Sequence, residues 1–225
     1  MKHCIVNFSD FKFKIGQDRL QKSLIDMKYQ GDVLLFNDYQ EIGSKPQQEV
    51  PYQFKVIAIE KARQMGYDVI LYCDASIWAI KDVMKSIHYI SEKGWLMEYC
   101  GFFASQYSTD ICLEKFNLTR DDAESIWLYS SGFTGLNFKN EIANEFLIQW
   151  LFRAKEETTF KGDWNNNFNQ CSKDVRCLGH RHDQTVASII AHNLGMEKIN
   201  PHFMQYDFDG IETKTTTIFS CRGIV

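Results

Sequence analysis

Asp74 stands directly behind the run Val69-Ile70-Leu71-Tyr72-Cys73, with Ala75 and Ser76 following it. A run apolar on both faces marks a central parallel strand. A carboxylate at the end of such a strand is costly unless it faces solvent or a cation. Two readings follow: Asp74 serves a metal-diphosphate group, or its side chain caps the next turn. Lys55 falls at the start of a helical pattern, where a cation opposes the local dipole unless an anion meets it. A diphosphate is one such anion, and a lysine reaching into water is the plain alternative. Asp183 precedes a further helical pattern and is a predicted N-cap. A carboxylate held there can also position or deprotonate a hydroxyl, or face a developing positive charge.

The cluster Ser131-Gly132-Phe133-Thr134-Gly135 has the composition of a turn, with glycines that admit close backbone approach and hydroxyls suited to sugar oxygens. Trp127 and Tyr129 just before it offer faces for a sugar or, more plainly, for the core. Cys171, Cys177, His180 and His182 lack the tight Cys-x-x-Cys spacing of structural zinc sites and read as buried thiols beside loop histidines. No P-loop, dinucleotide-binding glycine fingerprint or nucleophile elbow occurs, which argues against P-loop kinases, dinucleotide oxidoreductases and α/β-hydrolases.

These residues need elements to position them, and the order of patterns is β-α-β from the outset. An apolar run over 3–8 predicts a first strand opening into Ser9-Asp10. Leu20, Leu24 and Met27 recur at helical spacing before Gly31, and 33–36 predict a second strand. Phe54, Ile57, Ala58, Ala62 and Met65 share a helical face that ends at Gly66, ahead of the strand over 69–73. A helix over 81–91 leads to extended Trp95-Leu96-Met97. After an ambiguous stretch over 101–125, Ile142, Phe146, Leu147, Trp150, Leu151 and Ala154 mark a long helix, and a last one covers 186–194. The polar, asparagine-rich stretch over 156–181 is long for a loop and is expected to be functional or mobile. The alternation predicts an α/β chain with a mostly parallel, doubly wound central sheet flanked by helices, in one domain.

The segments Pro51-Tyr-Gln-Phe-Lys55, Gly66 to Ile77 with Asp74-Ala-Ser76, Ser131 to Gly135, and His182-Asp183-Gln184 together resemble the glycosyltransferases of the GT-A (Rossmann-like) fold. The resemblance implies a donor nucleotide-binding half over 1–100 and an acceptor-side half over 101–225. It implies transfer of a sugar from a nucleoside-diphosphate sugar to a carbohydrate or other hydroxyl-bearing acceptor. Asn7, Phe8, Ser9, Lys55, Asp74, Ala75, Ser76, Gly132 and Gly135 are the implied donor-binding residues, with Asp183 and Gln184 catalytic. Mn²⁺ or Mg²⁺ is the implied cofactor, with Asp74, Ser76 and His202 as ligands. The motif departs from Asp-x-Asp at Ser76, which offers a neutral oxygen, and Asp207-Phe-Asp209 is a minor metal candidate near the C-terminus. A nucleotidyltransferase and a non-catalytic carbohydrate-binding relative are the alternatives.

The formal net charge of -4 and the absence of a dense Lys/Arg run argue against nucleic acid as a partner. No stretch approaches the roughly 20 apolar residues of a membrane span. The short apolar N-terminal run and seven scattered cysteines lead to an expectation of a reduced, cytoplasmic setting.

Overall fold

The computed structural model describes residues 1–196, 201–206 and 214–222. Along the chain lie β1 (His3–Phe8), α1 (Lys14–Asp26), β2 (Asp32–Phe36), a single-turn α2 (Tyr39–Ile42), α3 (Gln53–Gln64), β3 (Val69–Cys73), β4 (Ile77–Ala79) and α4 (Met84–Lys93). They are followed by β5 (Trp95–Phe103), α5 (Asp110–Lys115), β6 (Trp127–Asn137), α6 (Glu141–Glu156), α7 (His182–Asn193), β7 (Met204–Tyr206) and β8 (Phe219–Cys221).

The main sheet has the order β2-β1-β3-β6-β5. β1 pairs in parallel with both β2 and β3, while β6 runs antiparallel to its neighbours β3 and β5. Four strands therefore run one way and β6 alone runs the other. Side chains alternate across the sheet. Cys4, Val6, Ile70 and Tyr72 join a core built with α3, α6 and α7, whereas Ile5, Val69, Leu71 and Cys73 join a second core with α1 and α4. Both faces of β3 are thus covered, which is why its sequence is uniformly apolar. A smaller sheet, β4-β8-β7, packs on the α1 side.

Two sequence expectations give way here. Residues 131–135 form no turn: they are the middle of β6, with Cys73 opposite Phe133 and Leu71 opposite Gly135. The glycines serve close packing instead. A Cβ on Gly135 would lie 2.4 Å from Ile90 Cδ1, so this residue lets α4 seat on the sheet, on the face opposite Asp74. The second is the mobile alternative for the stretch after α6, which is cross-tied and not a loose loop. Asn166 donates to the carbonyls of Ser172 (2.8 Å) and Cys177 (3.1 Å) and accepts from Cys171 N (2.9 Å), and Leu178 N donates to Gln106 O (2.7 Å).

A candidate active site at the carboxyl end of the sheet

In open α/β sheets the loops at the strands' carboxyl ends converge, and ligands bind there. Asp74 follows β3 at that edge. Its backbone N–H extends the ladder to Gly132 O (2.8 Å), and a Cβ on Gly132 would fall 2.3 Å from Asp74 Oδ2. Gly132 is thus a recess for this carboxylate.

Lys55 is 1 % exposed, although it lies in the first turn of α3. Its Nζ sits 2.9 Å from Asp183 Oδ2 and 3.5 Å from Asp74 Oδ1, and donates to Ser131 Oγ at 3.3 Å. Burial alone would lower the lysine's pKa, but the charges of Asp183 and Asp74 more than offset it and leave the pKa raised. The anions that meet Lys55 are therefore two carboxylates of the chain itself. Asp183, 2 % exposed, is not an N-cap. α7 begins one residue earlier, and its N-terminus has no side-chain cap. Asp183 Oδ2 makes an ion pair with Lys55 without an aligned hydrogen bond, so this oxygen is buried and otherwise unpartnered.

Next to this triad lies a cleft of about 440 Å³, within the range of small-molecule sites. Phe8, Ser9, Asp10, Lys12 and Phe13 line it from the β1 loop, Tyr39, Gln47, Gln48, Tyr52 and Phe54 from the segments leading to α3, and Asp74, Ala75 and Ser76 from the β3 end. Phe8 stacks on Phe54 with centroids 4.5 Å apart, and Tyr39 packs against both rings. Tyr39, Tyr52 and the two glutamines were not singled out as site residues from the sequence. The signal available was the density of aromatic residues flanking Lys55 and the first loop.

The remaining sequence candidates divide. Phe8, Ser9, Ala75 and Ser76 come together at the cleft. Asn7 does not. It is fully buried, donates to Cys73 O (2.7 Å) and accepts from Gln17 Nε2 (2.9 Å), stitching β1 to β3 and α1. Gln184 donates to Cys100 Sγ at 3.0 Å, which joins the start of α7 to β5. Ser76 Oγ lies 3.4 Å from Cys221 Sγ.

His202 is exposed and lies two residues before β7. Register puts Tyr206, at the other end of β7, beside Cys221 and so beside Ile77, next to Ser76. His202 belongs to the opposite end, and its Nδ1 is 3.4 Å from Lys214 Nζ. Asp207 and Asp209 lie outside the described residues.

Nor do Cys171, Cys177, His180 and His182 form a metal set. The two thiols contact the carbonyls of Asp163 and Ser108, and no group of three His, Cys, Asp or Glu suited to a metal occurs among the described residues. His180 accepts from Thr109 N through Nδ1 (3.3 Å), which leaves Nε2–H to donate to Thr159 O (3.0 Å). Burial, with His182 beside it, lowers its pKa to about 3, so the ring is a neutral brace. All seven cysteines are free thiols.

No protein-family model matches the chain, and no curated protein matches it by sequence. The fold does have counterparts among solved structures. A glycosyltransferase involved in glycosylation of the major capsid of PBCV-1 superposes with a TM-score of 0.58 at 11 % identity, covering 98 % of this chain and 93 % of that one. The WbbM bifunctional glycosyltransferase gives 0.57 at 9 % identity over 98 % of this chain, which spans 45 % of that longer one. Mouse xyloside xylosyltransferase 1 gives 0.54 at 9 % identity, covering 93 % and 89 %. The chain therefore has a GT-A-like glycosyltransferase fold. No helix among the described residues is long and apolar enough to cross a membrane.

Proposed function

We propose that the protein is a glycosyltransferase that moves a sugar from a nucleoside-diphosphate sugar to a hydroxyl of an acceptor. The observation that carries this reading is the meeting of Asp74, Lys55 and Asp183 beside an aromatic cleft at the carboxyl edge of a GT-A-like sheet. Phe8, Tyr39 and Phe54 offer faces and edges for a nucleotide base, and Lys12 offers a cation near the phosphates. Asp183 shares Lys55 with Asp74. There its negative charge would face positive charge developing at the anomeric carbon, or its oxygen would orient the acceptor hydroxyl. Gln184 would hydrogen-bond the transferred sugar.

Asp74 and Ser76 fit a divalent cation that draws its other ligands from substrate phosphates and water, as Mg²⁺ commonly does, and the Gly132 recess leaves the Asp74 carboxylate room to turn toward it. Bound there, Mn²⁺ or Mg²⁺ would supply neutralisation of the departing diphosphate's charge.

A thermal-shift screen of nucleoside diphosphates and their sugars, with and without Mn²⁺, tests the reading, because a ligand that binds the folded state raises its apparent stability by mass action. One nucleotide series should raise Tm in a concentration-dependent way, and more so with its sugar attached. No shift with any of them at millimolar concentration overturns the proposal.

A further inference from the structure

Arg181 precedes α7 and is clamped between two rings, its guanidinium carbon 3.9 Å from the centroid of Tyr107 and 4.0 Å from that of Trp164. Its Nη1 donates to the carbonyl of Trp164 (2.6 Å) and, at 3.4 Å, to that of His180. Arg120 pairs with Asp110, Arg63 with Glu60, and Arg176 with Asp121, Glu124 and Asp174, whereas Arg153 stacks on Phe116 and donates to the carbonyl of Lys115. Among the described residues no carboxylate comes within ion-pair distance of Arg181. Burial lowers its pKa, the mark of a partly desolvated cation lacking a counter-charge. With both faces covered by rings, the guanidinium can meet an anion only along its edge, where its fork of N–H groups matches a carboxylate or phosphate.

The stack continues in both directions. Tyr107 meets Phe102 edge-on at 5.1 Å, and Trp164 packs on His182 at 5.9 Å, which packs on Tyr52 at 5.6 Å. Tyr52 lines the cleft, whereas Arg181, Trp164, Tyr107 and Phe102 do not. Phe102 and Trp164 are 43 % and 50 % exposed, aromatic surface of the kind that packs against sugar rings. The cation thus lies beyond the Tyr52–His182 pair from the cleft, two residues before Asp183. Given the glycosyltransferase reading above, on which this inference rests, that is the acceptor's side.

We propose that Arg181 binds the anionic group of an acidic acceptor saccharide, a sugar bearing a carboxylate or a phosphate, whose ring lies against Trp164 or Phe102. The test compares matched charged and neutral sugars, cellobiouronic acid against cellobiose and glucose 6-phosphate against glucose, by saturation-transfer NMR titration at low salt. UDP and GDP are titrated alongside. In the wild-type chain at least one charged member should bind about tenfold tighter than its neutral partner. High salt should erode that preference. Arg181→Gln should abolish it while leaving the fold and nucleotide affinity intact, and Arg181→Lys, which keeps the charge without the fork, should retain part of it. Equal binding within both pairs in the wild type overturns the proposal, as does an unchanged preference in Arg181→Gln. A loss in Arg181→Gln confined to UDP or GDP also overturns it, since the anion would then belong to the donor. The nucleotide titrations separate the two proposals. If no nucleotide binds, the donor reading fails while the sugar pairs still report on Arg181.

Discussion

Replacing Lys55 with methionine keeps an unbranched apolar stem, one atom shorter, and removes the charge that holds two carboxylates. At an effective dielectric near 20, a unit pair at the 2.9 Å separation of Lys55 and Asp183 attracts by about 6 kcal/mol, and one at the 3.5 Å of Lys55 and Asp74 by about 5 kcal/mol. The second figure needs discounting, because the Asp74 side chain is a third exposed. Desolvation of the lysine opposes both. Removing one partner of a buried pair nonetheless costs about 3–5 kcal/mol, since the other charge stays buried and unmatched. Lys55→Met should therefore lose stability of that order at neutral pH, read by urea unfolding. The double variant Lys55→Met/Asp183→Asn leaves no unmatched charge at Asp183, so its loss should be smaller than the sum of the two single losses by at least about 1 kcal/mol. Losses that add to within about 0.5 kcal/mol would show that Lys55 and Asp183 are not energetically coupled, and the electrostatic account of this site would fail.

Three further outcomes can be checked. Asp183→Asn should keep the fold but lower sugar transfer about a hundredfold or more, measured as nucleoside-diphosphate release in the presence of acceptor; near-normal turnover would leave Asp183 a structural counter-ion of Lys55. Gly132→Ala should force Asp74 out of its recess and weaken Mn²⁺-dependent nucleotide binding about tenfold, at a stability cost of about 1–3 kcal/mol; unaltered binding would mean that the carboxylate's placement is immaterial. Glu98 is 3 % exposed, accepts from Phe203 N (2.6 Å) and Met204 N, and is pushed by burial from 4.5 to about 7 despite those bonds. Between those two pH values the folded chain holds a proton that the unfolded chain has released, so stability falls as pH rises through that window, by about 3 kcal/mol in all. Glu98→Gln should flatten that part of the slope between pH 5 and pH 8 in urea unfolding; identical slopes in the two proteins would refute it.

The parallel half of the sheet was legible because β3 is a continuous apolar run, β1 is apolar but for His3 and Asn7, and the helices between them carry regular apolar stripes. The address of Asp74 followed from that alone. β6 was not legible. Ser130, Ser131, Thr134 and two glycines give it the composition of a turn, yet tertiary packing makes it an interior strand and uses the glycines as recesses. The first turn of α7 was missed for a related reason, since His182, Asp183 and Thr185 are polar but buried and break the apolar period. Strands of three residues, as in β4, β7 and β8, contain too few positions for an alternation to register. The burial of Lys55 depends on partners far along the chain, so its own neighbourhood in sequence carries no sign of it.

Charge balance links the triad to the proposed chemistry. Lys55 contributes one positive charge and Asp74 and Asp183 two negative ones, so the cluster carries a formal net charge of −1 beside the cleft, which Asp74 lines. Asp10 and Lys12 line the same cleft and formally cancel, leaving that balance unchanged. A diphosphate entering such a place meets like charge, and buried, partly desolvated like charges repel more strongly than charges in water. Lys55 does not relieve this, because it is committed to Asp183 at the shorter distance. Under the proposed function the donor then needs a further positive charge beside Asp74, which is what a divalent cation on Asp74 and Ser76 would bring. The neutral Ser76 limits the repulsion which that cation must offset. An acid at this position would add a second negative charge beside Asp74 and deepen the dependence on metal. The departure from Asp-x-Asp is consistent with a site in which an internal lysine already balances one of the carboxylates.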